Sequence, residues 1–246
     1  MSTFTFLITG ASRSLGLGYT RALLAARPEA RVVAAARNPS GATDLQALAN
    51  EDGNKGRIHI LQLDVESKEQ VAKAAKDLEE SGFLGETGGL DALIHNAGVA
   101  LNHQTKPSQL EPEDVLDNLK INVFGVLNVN KAFLPFLEKG EGKQIFGLSS
   151  VCASIEQWGN NVMTPAYSLS KVSLNMLMSK VAAELGPRGF TVIMFHPGYV
   201  KTAMNSGAGD ITTEEAADFA VKNVFLAAKP ELNGAFLRYT GERMPW

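Results

Sequence analysis

Tyr167 and Lys171 stand four residues apart in TPAYSLSKVSLNML, a segment with helical apolar spacing, so their side chains share one helix face about one turn apart. No other tyrosine of the chain is followed by a lysine at that distance. A free tyrosine, with a pKa of about 10, keeps its proton at neutral pH and releases it sluggishly. A neighbouring ammonium stabilises the phenolate, which makes the hydroxyl a better acid and, in reverse, a usable base. The pair therefore suits proton transfer at an oxygen that gains negative charge during a reaction. Ser149 and Ser150 close the apolar run before this helix, and open α/β sheets bind their ligands outside such strand ends.

A second chemistry is legible near the N-terminus. The first apolar run is followed at once by TGASRSLGLG, with Gly10, Gly16 and Gly18, and then by a helical pattern. A glycine-rich turn between strand and helix lets backbone N–H groups and the helix N-terminus hold a pyrophosphate, although a plain tight connection has the same composition. Which dinucleotide fits depends on the end of the second strand. A carboxylate there accepts hydrogen bonds from the adenosine ribose and repels a 2′-phosphate. This strand ends Ala36-Arg37, with a guanidinium in place of a carboxylate, and Arg13 sits inside the glycine turn. Two cations at that corner favour the phosphorylated cofactor, NADP(H), through charge-assisted bonding.

The elements that must position these groups alternate along the chain. Strand-like runs cover 4–9, 31–36, 57–63, 90–95, 143–149, 190–195 and 234–239, and helical patterns cover 14–27, 42–51, 67–82, 111–138, 166–186 and 212–228. Continuously apolar strands separated by helices imply a parallel sheet covered on both faces. With no linker, repeat or low-complexity segment, residues 1–246 are expected to form a single doubly wound α/β domain. The composition is that of an ordinary globular chain, 45% hydrophobic and 20% charged with a net charge of -3. It lacks the basic footprint of a nucleic-acid binder, and no apolar run approaches the ~18 residues of a membrane span. One cysteine, Cys152, allows no internal disulfide, and MSTFTFLITG enters a strand with no basic leader, so a cytoplasmic location is expected. Cys152 has no neighbouring histidine to act as a base and is expected to be a buried small apolar residue. The four histidines are scattered, and no metal requirement is expected.

In order along the chain come TGASRSLG, which follows TGxxxGxG except at its middle glycine, LDV after the third strand, NAG after the fourth, and YxxxK. This series resembles that of the short-chain dehydrogenases/reductases, and the match runs from residue 5 to the C-terminus. The resemblance implies a Rossmann-type sheet of about seven strands with helices on both faces. It also implies that Tyr167 is the general acid, that Lys171 tunes it and binds the nicotinamide ribose, and that Ser150 holds the substrate oxygen. Asn122, in KINVFG, matches the asparagine that supports a water relay to the lysine. Gly10, Ser12, Arg13, Ser14, Leu15 and Gly16 then line the cofactor phosphates, with Arg37 at the adenosine ribose. Asp64 and Val65 fall at the adenine edge, Asn96, Ala97 and Gly98 at the adenosine ribose and neighbouring backbone, and Pro197 and Gly198 near the nicotinamide. Val200 and Thr202 are assigned to its carboxamide. Read without the resemblance, Asp64 is equally a helix-capping strand end, Asn96 a turn former and Asn122 a helix-bending amide.

Two residues depart from the family series: Ser14 replaces the middle glycine, and His95 replaces the first asparagine of NNAG. Ser14 puts a Cβ close to the pyrophosphate path, which either loosens binding or lets the hydroxyl donate to a phosphate oxygen; the second is expected. Ile155, Trp158 and Met163, between Ser150 and Tyr167, are expected to line a substrate wall suited to an apolar or aromatic carbonyl compound. HPGYVKTAM and NGAFLRYTGERMPW look most like the sniffer-type carbonyl reductases and their fungal ketoreductase relatives. The expected function is NADPH-dependent reduction of an aldehyde, ketone or quinone-like compound. A dinucleotide sensor with little turnover is the alternative. The helix from Tyr167 carries two apolar faces, which suits either a homodimer or packing between sheet and neighbouring helices.

Overall fold

The computed structural model describes residues 3–246. Its strands are β1 (Phe4–Thr9), β2 (Ala30–Ala36), β3 (Ile58–Gln62), β4 (Ala92–His95), β5 (Gln144–Leu148), β6 (Thr191–His196) and β7 (Ala235–Arg238). They form one seven-stranded sheet in the order β3-β2-β1-β4-β5-β6-β7, and all six neighbouring pairs are parallel. The helices are α1 (Ser14–Ala26), α2 (Thr43–Asn50), α3 (Lys68–Glu80), α4 (Pro112–Leu119), α5 (Gly125–Lys139), α6 (Ile155–Trp158), α7 (Pro165–Leu185) and α8 (Thr213–Ala220). No helix among the described residues is long and apolar enough to cross a membrane.

The strands read as unbroken apolar runs because both faces of the sheet are covered. Leu7 packs with Val71, Val129 and Leu174, on the side of α3, α5 and α7. Its neighbours Phe6 and Ile8 pack with Leu23 and Ala217, on the side of α1 and α8. On that second side Phe225 takes Tyr19, Phe146 and Phe195 edge-on, with ring centres 5.2, 4.9 and 5.3 Å away. Each buried aromatic or aliphatic side chain of this kind contributes roughly 1.5–3 kcal/mol of transfer free energy.

Every expected strand is present, with edges shifted by at most two residues. Two expected helices are broken. The pattern over 111–138 becomes α4, a π-helical segment Lys120–Phe124, and α5, while 212–228 becomes α8 followed by a π-helical segment Val221–Phe225. Periodicity close to 3.6 does not reveal such a widened turn, because it shifts the apolar stripe only locally. The four-residue α6 was also not anticipated. It starts where the Ser154 hydroxyl accepts the Gln157 N–H at 3.1 Å, a signal too short for periodicity to register.

Asp91 ties the entry edge of the sheet together. Its buried carboxylate accepts N–H groups from Thr5 at 2.8 Å and from Glu141 and Gly142 at 3.0 Å each. Asp91→Ala leaves three backbone donors unpaired and is expected to destabilise the protein by about 3 kcal/mol. A denaturant titration measures this, and a change below about 0.5 kcal/mol means that water replaces the carboxylate without loss.

Candidate active site

The strand order reverses at β1, which lies between β2 and β4, and a crevice outside the carboxyl ends of the strands forms at such a reversal. The glycine turn leaves β1 there. Gly10 has φ +68°, and the turn is drawn tight by Asn96, whose Nδ2 donates to the carbonyls of Thr9 at 2.8 Å and Gly10 at 3.0 Å. A Cβ on Gly16 would come within 2.3 Å of the Gly10 carbonyl oxygen and 2.6 Å of Asn96 Nδ2. Only glycine lets the start of α1 approach the turn this closely. Arg13, at the N-cap of α1, is extended and makes no side-chain cap, and the first turn carries no acid, so the helix end is left free for an anion.

The neighbouring strand ends complete this corner. The Ala11 N–H donates to Ala35 O at 2.9 Å, fixing the turn against β2, and the Leu63 N–H donates to Ala36 O at 3.0 Å, fixing the exit of β3. Arg37 follows β2 directly. Arg13 and Arg37 are both exposed, and neither has an acidic partner among the described residues. Asp64 Oδ1 accepts the Glu66 N–H at 3.1 Å, so this side chain shapes the turn after β3. Val65 is buried.

The Tyr167–Lys171 pair lies two strands away, beyond the end of β5. Lys171 is 4% exposed, and its Nζ donates to Leu148 O at 2.8 Å and sits 5.6 Å from the Tyr167 ring centre. Burial lowers the Lys171 pKa to about 8, against a smaller opposing influence of the Cys152 charge. Burial raises the Tyr167 pKa above its ordinary value, the Cys152 charge adds to this, and a hydrogen bond with Ser150 works against both. Of the two serines, Ser149 is turned inward and donates to Asn175 Oδ1 on α7 at 2.7 Å. Ser150 is the one beside the phenol, and its Oγ accepts the Cys152 N–H at 3.2 Å, which leaves its own proton free to donate.

Asn122 lies in the first π-helical segment with its side chain buried. Oδ1 accepts the Val99 N–H, and Nδ2 donates to Val99 O and to Ser170 Oγ, each at 2.9 Å. The amide thus pins the chain just past Gly98 to α7. Gly98 itself would place a Cβ 3.1 Å from Asn122 Oδ1 and 3.6 Å from Lys171 Nζ. Asn122, Gly98, Lys171, Tyr167 and Ser150 are therefore gathered at one point.

A family model, the short chain dehydrogenases, matches residues 5–212. The chain belongs to the short chain dehydrogenase family. Short-chain dehydrogenase RED3 of Pyricularia oryzae is 31% identical over 98% of this chain and 98% of its own length. Among solved structures, the carbonyl reductase Sniffer of D. melanogaster is 28% identical with a TM-score of 0.89, over 99% of this chain and 100% of that one. An NADPH-bound carbonyl reductase from chicken fatty liver is 29% identical with a TM-score of 0.89, over 100% of each chain. The fold is thus that of the sniffer-type carbonyl reductases, and the family is one of oxidoreductases that bind a nicotinamide dinucleotide. The residues of this short chain dehydrogenase fit such a group: a helix end without a side-chain cap, a turn that a Cβ at Gly16 would close, and two cations without acidic partners among the described residues.

His95, the family departure, is buried at the end of β4, where its Nε2 meets Asn130 Oδ1 of α5 at 2.7 Å. Burial lowers its pKa to about 4, only partly offset by that hydrogen bond, so the ring is neutral and joins strand to helix. Ser14, the other departure, has φ +49°, a left-handed conformation that costs a residue with a Cβ about 1–2 kcal/mol. After β6, Gly198 has φ +93°. Val200 is buried and its carbonyl accepts from Asn205 Nδ2 at 2.9 Å, and the Thr202 hydroxyl is engaged with Asn205 Oδ1 at 3.1 Å.

Ile155, Trp158 and Met163 gather around an open cavity of about 310 Å³ that Leu110, Leu169 and Val172 also line. The lining includes Cys152 but none of Ser150, Tyr167 and Lys171, because Leu169 and Val172 stand on a different face of α7 from the Tyr167–Lys171 pair. Cys152 is therefore the joint between cavity and pair. It is partly rather than fully buried, a correction to the expectation of a buried residue, since the short turn Val151–Ala153 leaves the residue at the cavity wall. On α7, Leu174 and Leu185 are buried, while Leu169 and Met176 are exposed.

Proposed function

We propose that the chain is an NADP(H)-dependent carbonyl reductase acting on a small, largely apolar aldehyde, ketone or quinone-like compound, with Tyr167 as general acid. The observation that carries this reading is the meeting of Tyr167, Lys171, Ser150 and Asn122 at the sheet edge that also holds the phosphate corner. A nicotinamide dinucleotide bound along that corner supplies the hydride. The Ser150 hydroxyl holds the substrate oxygen, and Tyr167 adds a second hydrogen bond to it. Burial keeps the proton on Tyr167 until the oxygen gains charge. The phenolate left behind is stabilised by the Lys171 ammonium, which Leu148 O holds in place. The carbonyl reductases of similar fold, one of them bound to NADPH, support the same reading.

Steady-state NADPH consumption with a panel of aromatic and aliphatic aldehydes, ketones and quinones tests it, with NADH run in parallel. Turnover at least about tenfold better with NADPH is expected from the two cations. Absence of turnover across the panel with NADPH tightly bound favours a sensor instead. The pH profile carries a sign of its own. Tyr167 keeps its proton well above neutrality, whereas Lys171 is charged below about pH 8 and neutral above it. Reductase kcat/KM is therefore expected to fall as pH rises through about 8, and Lys171→Met to give a lower, flatter profile. A rate that holds steady to pH 10 would remove the lysine charge from the mechanism.

A further inference from the structure

We propose that the Ser14 hydroxyl donates a hydrogen bond to the pyrophosphate of the dinucleotide, and that the left-handed backbone at this position is retained for that contact. This deepens the reading of the N-terminal turn as a cofactor site and rests on it. Ser14 holds φ +49°, where glycine is free of strain and a Cβ is not. Nothing among the described residues accounts for the side chain. Ser14 is exposed, so packing does not require the Cβ, and its hydroxyl makes no hydrogen bond among the described residues, unlike Thr20 and Ser67, whose hydroxyls bond locally at 2.8 and 3.2 Å.

The position supplies the missing partner. Ser14 opens α1 next to an extended Arg13 that caps nothing, at a helix end without acidic residues, where backbone N–H groups already converge on an anion site. The middle position of a strand-turn-helix phosphate site faces the pyrophosphate. A freely rotating hydroxyl at that point adds one charge-assisted donor to the same oxygens. A 2′-phosphate would instead be held toward the end of β2, where Arg37 stands.

The test compares wild type, Ser14→Gly and Ser14→Ala in two measurements: Kd for NADPH and for NADH by fluorescence titration, and thermal unfolding without ligand. Ser14→Gly is expected to raise the melting temperature of the free protein, because it relieves the backbone, and to weaken both dinucleotides by about tenfold. Ser14→Ala keeps the Cβ, so it is expected to weaken both to a similar degree with no rise in melting temperature. Ser14→Gly binding as tightly as wild type, or tighter, overturns the proposal. A loss in Ser14→Gly that Ser14→Ala does not share assigns the effect to chain flexibility and overturns it too. A loss confined to NADPH moves the contact to the 2′-phosphate and overturns the pyrophosphate assignment. Wild-type protein that binds neither dinucleotide removes the cofactor reading itself, an outcome distinct from a failure at Ser14 alone.

Discussion

Tyr167→Phe is expected to lower reductase kcat/KM by about 10³-fold, the scale of a lost general acid, while leaving the Kd for NADPH nearly unchanged. The substitution removes one oxygen and keeps the ring. Lys171 Nζ, 5.6 Å from that ring centre, keeps its bond to Leu148 O at 2.8 Å. Among the described residues Ser150 is the hydroxyl beside the phenol, and it keeps its bond from the Cys152 N–H, so little structural cost is expected. About 10³-fold corresponds to roughly 4 kcal/mol of transition-state stabilisation, more than one ordinary hydrogen bond contributes. The excess is the proton transfer itself. Steady-state kinetics beside a binding titration separates the two roles. Retention of more than about a tenth of the activity would mean that the alkoxide takes its proton from elsewhere, with Lys171 the next donor to test.

Much of this arrangement is local and therefore legible in the sequence. Seven apolar runs appear as seven strands because both faces of the sheet are covered, and Tyr167 and Lys171 meet because a helix puts i and i+4 together. The glycine turn could be read for a similar reason: its constraints act within ten residues. What escaped depends on contacts far apart in sequence. Asn122 looks out of place in a helix until its amide is seen to hold Val99 and Ser170, 23 and 48 residues away, and the same spot carries the π-helical segment that broke the expected long helix. His95 gains its sense from Asn130, 35 residues on. The preference for Ser150 over Ser149, which the resemblance already implied, gains its physical reason only from Asn175, which claims Ser149 from α7. The incomplete burial of Cys152, and the cavity that gathers Ile155, Trp158 and Met163 on a face apart from Tyr167, depend on how a short turn folds back on α7. No periodicity encodes that.

Arg37→Glu is expected to lower kcat/KM with NADPH by about 100-fold and to raise the relative use of NADH. Arg37 leaves β2 at the corner where Ala35 O and Ala36 O already hold the glycine turn and the exit of β3. Its guanidinium is exposed and has no acidic partner among the described residues. The next polar side chain, Asn38, is occupied: its Oδ1 accepts from Ser40 Oγ at 2.7 Å and from the Gly41 N–H at 3.3 Å. Removing one charge-assisted contact costs about 1.5–3 kcal/mol, or roughly tenfold to a hundredfold in affinity. A glutamate adds repulsion of the phosphate and gives the unphosphorylated ribose an acceptor. Stability should move by less than about 0.5 kcal/mol, since no internal partner is lost. The exposed ion pair is also screened by salt, so KM for NADPH should climb with ionic strength in wild type and stay level in the variant. An unchanged NADPH-to-NADH ratio would leave Arg37 a solvated surface residue and shift the whole preference onto Arg13, where Arg13→Ala would then have to remove it.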